Sequence, residues 1–286
     1  MAEQADLAIP FQNEYGQGNN GVYQKGSIYS WGPKMEGQTV DNWTLNPARA
    51  GETYTLNPQP GNVKDLFRTG ISYSNNLQAS IGGQRTQAFF SATSTEGRGI
   101  LPNNKLLRNN ALVRVSSELS SKFTLDAKLS YTMQNTDNPT RQSDNNYNPM
   151  QQIYNMARNI RTEDARQFEY PNAQGVMQQD FWSPGTASTA ENPYWVLNRN
   201  LIYSKMGQIN GLVSLTYKLT DQWSLMARTA YDKIEETIEQ KDYNSTFVRA
   251  VYGRGTRTGA PHNAINSDLL LSYKNKFGKD WDLNAN

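Results

Sequence analysis

Residues 122–134 read KFTLDAKLSYTMQ, and their side chains alternate strictly between two classes. From Phe123 to Met133 every odd-numbered residue is apolar, whereas from Thr124 to Gln134 every even-numbered residue is polar or charged. Because successive side chains of a β-strand point to opposite faces, this stretch predicts a strand with one apolar and one polar face. The apolar face needs either a protein core or lipid against it.

The same alternation recurs in three later stretches, at 209–219, 223–231 and 269–277. The segments that join such strands also repeat: LSSKFTL at 119–125, LTDQWSL at 219–225 and FGKDWDL at 277–283. Each has an apolar residue, three polar turn residues and an aromatic residue, which predicts a tight hairpin that keeps the apolar side chains on one face.

The other connections are long. More than 70 residues separate the strand that ends near Gln134 from the one that starts near Gln208, and a further loop is predicted at about 233–266. We therefore predict an all-β fold, an antiparallel meander with short turns at one end and long loops at the other. The longest loop, about 135–207, contains Asn148-Pro149 and then an apolar face, which predicts a short helix near 149–164.

Composition excludes several classes of protein. The 286 residues include 28 basic and 26 acidic side chains without a long basic run, so we predict no nucleic-acid partner. The chain has no cysteine, which excludes disulfides and thiolate metal sites. Hydrophobic residues make up only 36%, yet there are 16 Tyr, 9 Phe and 6 Trp, a balance typical of a large sheet that is wetted on one side.

Aromatic residues occupy matching heights on the predicted strands. Phe123, Trp223 and Trp281 each hold the first apolar position after a short turn, and Tyr131 and Tyr231 follow eight residues later. That spacing is about 26 Å along a strand, or about 20 Å of height at a tilt of about 40°. Two aromatic rows around an aliphatic band predict the membrane girdles of a transmembrane β-barrel. The alternative is a soluble β-sandwich in which these rings belong to the core.

The chain resembles the SusC/RagA-like branch of TonB-dependent outer-membrane transporters along most of its length. The motifs that carry the resemblance, each weak alone but specific in order and spacing, are FQNEYGQGNNGVY (11–23), SWGPKMEGQ (30–38), NVKDLFRTG (62–70), GILPNNKLLRNN (99–110), NPMQQIYNMARNI (148–160) and ENPYWVLNRN (191–200).

This resemblance implies a section of a large transmembrane β-barrel of roughly 22 strands that is filled by an N-terminal plug. It also implies import of oligosaccharides or other large nutrients such as peptides through the bacterial outer membrane. The implied partners are a TonB complex, a SusD-like surface lipoprotein, outer-membrane lipid and the remaining barrel strands. We expect residues 1–286 to be a partial barrel of about eight strands, without the plug, the N-terminal region and the C-terminal strands.

No constellation of catalytic residues is present in the sequence, so we predict that the chain is not an enzyme and needs no cofactor or metal. The single histidine, His262, has no second histidine or cysteine to join it in a metal site. The loops instead carry aromatic residues whose faces could stack on sugar rings. The predicted substrate-binding residues are Trp31, Trp43, Tyr170, Trp182 and Trp195. The alternative role for each is to pin the long loops together or to pack on the partner lipoprotein.

Two other functions fit the same pattern of strands. A passive, porin-like barrel would lack energy coupling, and a soluble β-rich glycan-binding module would bury Phe123, Trp223 and Trp281 in a sandwich. The leading hypothesis remains a part of an active outer-membrane transporter.

Overall fold

The computed structural model describes residues 11–141, 147–183, 190–247, 250–277 and 281–286. Short strands come first: β1 (Gly18–Asn19) pairs with β2 (Val22–Tyr23), and β3 (Thr39–Asp41) pairs with β4 (Thr53–Thr55). Single 3-10 turns at Pro47–Arg49 and Lys64–Leu66 complete this N-terminal segment. The initial MAEQADLAIP lies outside the described residues.

Long strands and one loop of short elements follow. The first strands are β5 (Ile71–Gly82), β6 (Thr86–Arg98), β7 (Lys105–Glu118) and β8 (Phe123–Asp137). The loop carries α1 (Pro149–Tyr154), α2 (Thr162–Ala165), β9 (Glu169–Pro171), β10 (Met177–Gln179) and α3 (Pro193–Arg199). The last strands are β11 (Asn200–Lys218), β12 (Trp223–Thr246), β13 (Ala250–Phe277) and β14 (Trp281–Ala285).

The long strands form one eight-stranded sheet in the order β14-β13-β12-β11-β8-β7-β6-β5. Every neighbouring pair is antiparallel, and β8 meets β11 across the long loop. The predicted all-β antiparallel meander is therefore confirmed. The connections at 83–85, 119–122 and 219–222 are short and share one end of the sheet, whereas the loop from 138 to 199 lies at the other.

The two best copies of the repeated turn use the same hydrogen bonds. The Ser120 hydroxyl accepts from the backbone N–H of Lys122 and of Phe123, both at 3.2 Å. The Thr220 hydroxyl accepts from Gln222 N–H at 3.1 Å and from Trp223 N–H at 3.0 Å. A hydroxyl in the second position of the repeat thus closes each turn, as serine and threonine commonly do. In the third copy, residues 278–280 lie outside the described residues.

One local prediction was wrong, and a second was right only in part. Most of the predicted loop at 233–266 is strand, because β12 and β13 stay paired from Trp223↔Tyr273 to Thr246↔Ala250. The many charges of this stretch masked its Thr and Ile residues, which are β-branched and favour strands. The predicted helix near 149–164 begins at Pro149 with Asn148 as its cap, as expected, but α1 stops at Tyr154 and α2 begins only at Thr162. Between them the Asn159 side chain accepts from the Gln17 backbone N–H at 2.6 Å, which draws the chain out of the helix.

The apolar core lies outside the sheet. It forms where the N-terminal segment packs on the long loop, and we call residues 11–67 together with the described part of 147–199 the cap. Members of the core cluster from the cap include Trp43, Leu56, Leu66, Ile153, Ile160, Phe181 and Trp182, and Leu101 from the β6–β7 loop joins them. The sheet itself holds exposed apolar side chains. Within the described ranges, none of the helices has the length and hydropathy needed to cross a bilayer.

Candidate functional site

Strand register divides the sheet into two chemically different faces. One row in the middle of the sheet joins Ala88, Val115, Ala127, Val213 and Thr229 through successive register pairs. The same face holds the exposed large apolar residues Leu77, Phe90, Leu129, Leu215, Leu225, Leu269 and Leu271. We call this the apolar face, and among the described residues no second sheet is packed on it.

The five predicted girdle residues all lie on the apolar face and are exposed. The Phe123 ring stacks on Tyr217 of β11, with ring centroids 4.7 Å apart, and the Trp223 ring lies 4.7 Å from Tyr273 of β13. These pairs belong to the short-turn end, where Trp281 is also exposed. Tyr131 and Tyr231 lie nearer the long-loop end of the same face. The placement suits girdles, and their role at a membrane stays a prediction.

The upper tyrosines run diagonally across the strands. On β11 the register partner of Tyr131 is Ile209, and that of Tyr231 is Gly211. Tyr231, which is two strands away from Tyr131, therefore lies two residues nearer the short turns. Successive register pairs lead from Tyr73 of β5 to Asn135 of β8. Tyr73, which is three strands away from Tyr131, therefore lies four residues nearer the long-loop end. When strands are tilted by about 40°, residues at equal height on neighbouring strands are offset from register partners by about 1.2 residues per strand. The tyrosines follow such a line, as the tilted strands of a barrel would require.

The opposite face is a wall of hydrogen-bonded polar side chains, which we call the polar face. Arg114 contacts Asp126 at 2.5 Å and Arg228 contacts Asp268 at 2.9 Å, each across neighbouring strands. The Asn110 amide donates to the Thr132 hydroxyl at 2.8 Å. Further pairs between neighbouring strands are Asn76 with Thr93, Ser74 with Thr95 and Asn210 with Asp232. Such a face suits water or a polar partner, because placing its polar and charged groups against lipid would cost free energy.

Three of the predicted ligand-binding tryptophans are buried in this structure. Trp43 and Trp182 are each 1% exposed and form an edge-to-face pair with ring centroids 5.7 Å apart. Trp195 is 0% exposed, and its indole N–H donates to the Thr246 hydroxyl at 3.0 Å. A buried ring offers no face to a sugar, so these residues hold the cap together and dock it on the sheet. This burial favours the alternative role, in which the three rings pin the long loops together, and ligand binding by Trp43, Trp182 and Trp195 stays a prediction.

The other two predicted residues remain accessible. Trp31 is 62% exposed on the N-terminal segment, where its backbone N–H donates to the Gly18 carbonyl at 3.1 Å. Tyr29, two residues earlier, is also exposed. Tyr170 is half-buried on β9, opposite Gln178 of β10. The structure does not bring Trp31 and Tyr170 into a common contact, and ligand binding by either stays a prediction.

The cap is fixed to the polar side of the upper sheet by residues that the sequence analysis missed. Asp242, near the top of β12, has a fully buried carboxylate. It accepts from the Tyr147 hydroxyl at 3.0 Å and from both Nε and Nη2 of Arg254 of β13, at 3.2 and 3.0 Å. Burial and the Asp242 carboxylate raise the pKa of Tyr147 to about 12, so its hydroxyl stays protonated as a donor. The signal for these contacts in the sequence is the density of charged residues of both signs in 233–257.

Inside the cap, one buried cation joins three segments. The Arg158 guanidinium donates to the Gln12 carbonyl, to Asn13 Oδ1 and to the Gln59 carbonyl, each at 3.2 Å. It also donates to Asn62 Oδ1. Burial lowers the pKa of Arg158, and among the described residues no carboxylate is in ion-pair contact with it. Neutral acceptors therefore compensate for the loss of its hydration.

Asp180 ties the N-terminal segment to the loop in a similar way. Its carboxylate accepts from the Thr44 hydroxyl at 2.5 Å and from the Leu45 backbone N–H at 2.8 Å. Burial raises the pKa of Asp180, and the Thr44 hydrogen bond works against that rise. Among the residues described, no group of three or more His, Asp or Glu side chains could hold a metal ion. His262 lies within β13, in register with Ile234.

Comparison with known proteins gives matches in structure only. No protein-family model matches the chain, and no curated protein matches its sequence. One match is a chain of the RagAB peptide importer in its closed-closed state, with a TM-score of 0.58 and 15% identity. The match covers 95% of the present chain and 32% of the importer chain. The open-open state matches 78% with a TM-score of 0.56 and 15% identity, over 24% of its length.

A further structure, of the RagAB peptide transporter, matches 78% of this chain with a TM-score of 0.55 and 14% identity, over 24% of its own length. The chain therefore spans about a quarter to a third of the solved chains it matches. These matches confirm, for the fold, the resemblance drawn from the sequence motifs.

Proposed function

We propose that the chain forms part of the barrel wall, together with the extracellular cap, of a TonB-dependent outer-membrane transporter. The observation that carries the proposal is the two-faced sheet, whose exposed apolar face holds diagonal tyrosines while its other face is a polar wall. A lipid-facing band outside and a polar interior are what a wide membrane barrel needs. The fold shared with chains of the RagAB peptide importer supports the same function.

In this proposal the short turns face the periplasm and the cap faces the outside. The cap packs against the polar face at the top of β12, through Tyr147, Asp242 and Trp195. It would therefore lie over the inner side of the barrel mouth, where an incoming nutrient first meets the protein. A SusD-like surface lipoprotein would be the partner at this mouth. The remaining strands, the plug and the contact with TonB would come from other parts of the complete protein.

The proposed cargo is an oligosaccharide or a peptide too large for porins. Trp31 is the best placed of the predicted aromatic residues, because its ring is exposed on the cap. Calorimetry on the complete protein with oligosaccharide and peptide mixtures should show weaker binding for Trp31→Ala, by about tenfold if the apolar contact of the ring with the ligand contributes about 1.5 kcal/mol. Val22→Ala, also exposed on the N-terminal segment, is the matched control. Equal affinity of wild type and Trp31→Ala would remove Trp31 from the binding site.

The function can be tested by measuring where the complete protein fractionates and which nutrient it takes up in its own bacterium. It should fractionate with the outer membrane, and deletion of its gene or of TonB should each abolish uptake of the same labelled nutrient. Uptake that persists without TonB would indicate a passive, porin-like barrel instead. Recovery of the protein from the aqueous fraction without detergent would indicate a soluble glycan-binding module.

A further inference from the structure

A pair of cations lies at the top of the apolar face without an ionic partner. Arg98, the last residue of β6, is in direct register with Lys105, the first residue of β7, and both side chains are exposed. Among the described residues, neither takes part in an ion pair. Directly opposed like charges destabilise a sheet, so a bound anion would stabilise this pair.

Nearby groups add one further positive charge and two negative charges. Arg68 lies against the same β6–β7 loop, where it donates to the Gly99 carbonyl at 3.0 Å and to the Asn104 carbonyl at 3.1 Å. Glu96 accepts a hydrogen bond from the Tyr73 hydroxyl. Asp137, in register with Lys105 on β8, and Glu96, two residues before Arg98 on the same face, offset two charges of the three cations and leave one net positive charge.

The height of the pair on the apolar face suits a lipid headgroup. Arg98 lies two residues beyond Glu96, the register partner of Tyr73, so it is about 7 Å farther along the strand, or about 5 Å higher than Glu96 at a tilt of about 40°. Tyrosine rings settle at the border between headgroups and acyl chains, which puts the two cations in the headgroup layer.

Apolar side chains surround the pair and continue below it. Ile71 is in register with Arg98, and Ile100 lies in the adjoining loop, and both are exposed. Farther down the same face, Leu77 and Phe90 are exposed as well. A free inorganic anion gains nothing from contact with apolar side chains. A lipid can place its phosphate against the cations and its acyl chains against the apolar side chains.

We propose that Arg98 and Lys105 form a binding site for the phosphate of an anionic membrane lipid, whose acyl chains lie on the apolar face below. This inference rests on the proposed function, since it needs the apolar face to meet a bilayer. The guanidinium binds phosphate oxygens through paired N–H groups, and the ammonium adds a second, mobile positive charge. The lipid phosphate would relieve the repulsion between the two cations.

The test uses the complete transporter, purified in detergent and titrated with phosphatidylglycerol or phosphatidylcholine under native mass spectrometry. Wild type should prefer phosphatidylglycerol by about tenfold or more, since two cations near the headgroup layer contribute. The double variant Arg98→Glu/Lys105→Glu should lose that preference, and Arg98→Lys/Lys105→Arg should keep it. Lys34→Glu, a single charge reversal on an exposed cap residue, is the control and should behave like wild type.

Three results would overturn the site. The first is an unchanged lipid preference in the double glutamate variant, and the second is an equal loss in Lys34→Glu. The third is displacement of the lipid by inorganic phosphate alone at millimolar concentration, which would indicate a site for free phosphate. If the double variant does not fold, Lys105→Gln replaces it, and its preference for phosphatidylglycerol should fall by a smaller factor. Outer-membrane fractionation of wild type separates the two proposals: a protein that fractionates there without lipid preference contradicts this site only.

Discussion

The indole N–H of Trp195 donates to the Thr246 hydroxyl at 3.0 Å, and that hydroxyl donates in turn to Asn200 Oδ1 at 2.9 Å. One chain of hydrogen bonds thus joins helix α3 of the cap, the top of β12 and the start of β11. Below it, Gln179 of β10 donates from its side chain to the Ser245 carbonyl at 3.1 Å. The tip of β12 is therefore one of the places where the cap is docked on the sheet.

Removing the Trp195 ring should loosen this docking. Trp195→Ala should destabilise the cap by about 3–5 kcal/mol, because a buried aromatic ring is lost, and Trp195→Phe by about 1–3 kcal/mol, because a buried hydrogen bond is lost. The measurement is the rate of protease cleavage within 147–199 in the complete protein. Trp31→Ala, at an exposed ring, is the control. Equal cleavage rates in Trp195→Ala and wild type would contradict the docking role.

The two faces of β8 should respond oppositely to a new charge. Leu129 is exposed on the apolar face and Gln134 lies on the polar face. Leu129→Arg should cost about 2–4 kcal/mol if that face meets the middle of a bilayer, whereas Gln134→Arg should cost little. The measurement is the fraction of complete protein that resists unfolding by detergent at room temperature. Tolerance of arginine at both positions would argue against a lipid-facing side.

Asp180 gives a pH dependence with a defined sign. Burial raises its pKa in the folded state above the ordinary value, so the folded state holds the proton more tightly than the unfolded state. Its contribution to stability is fully present below the ordinary pKa and is lost as the pH rises through the folded value. The free energy of unfolding of wild type minus that of Asp180→Asn should therefore be larger at pH 4 than at pH 8.

Asp221 supplies the control of opposite sign. The hydrogen bond and charge of Lys218 lower the pKa of this exposed turn carboxylate. Its contribution is present above the ordinary pKa and is lost as the pH falls through the folded value, so the difference between wild type and Asp221→Asn should shrink toward acid pH. Urea unfolding at both pH values measures the two differences. The same trend in both variants would contradict the assignment to Asp180.

The 286-residue chain alone should not assemble in a membrane. In the described sheet, β5 and β14 are edge strands with one side unpaired. Each backbone group left unpaired in hydrocarbon costs several kcal/mol, so an open edge cannot face lipid. Expressed alone with liposomes, the chain should fail to float with the lipid fraction. A monomer that floats and keeps its sheet would disprove this expectation.

Sequence pattern alone predicted the sheet well. A period of two residues is a local property, so the alternation from Phe123 to Gln134 was enough to assign faces, and the repeated turn around Ser120 was enough to assign the short-turn end. The same reasoning failed for 233–266. Outside an apolar environment a strand needs no apolar face, and its pairing with β13 leaves little trace in hydropathy.

By itself, then, the sequence determined which residues share a face, because strand geometry ties a side chain's direction to its position in the chain. It could not determine which tryptophans are accessible. Trp31 and Trp43 belong to the same segment, yet the first is exposed and the second is buried against Trp182, more than a hundred residues later. Only the tertiary structure decided this, because burial depends on which distant segments pack together, and no local period records that.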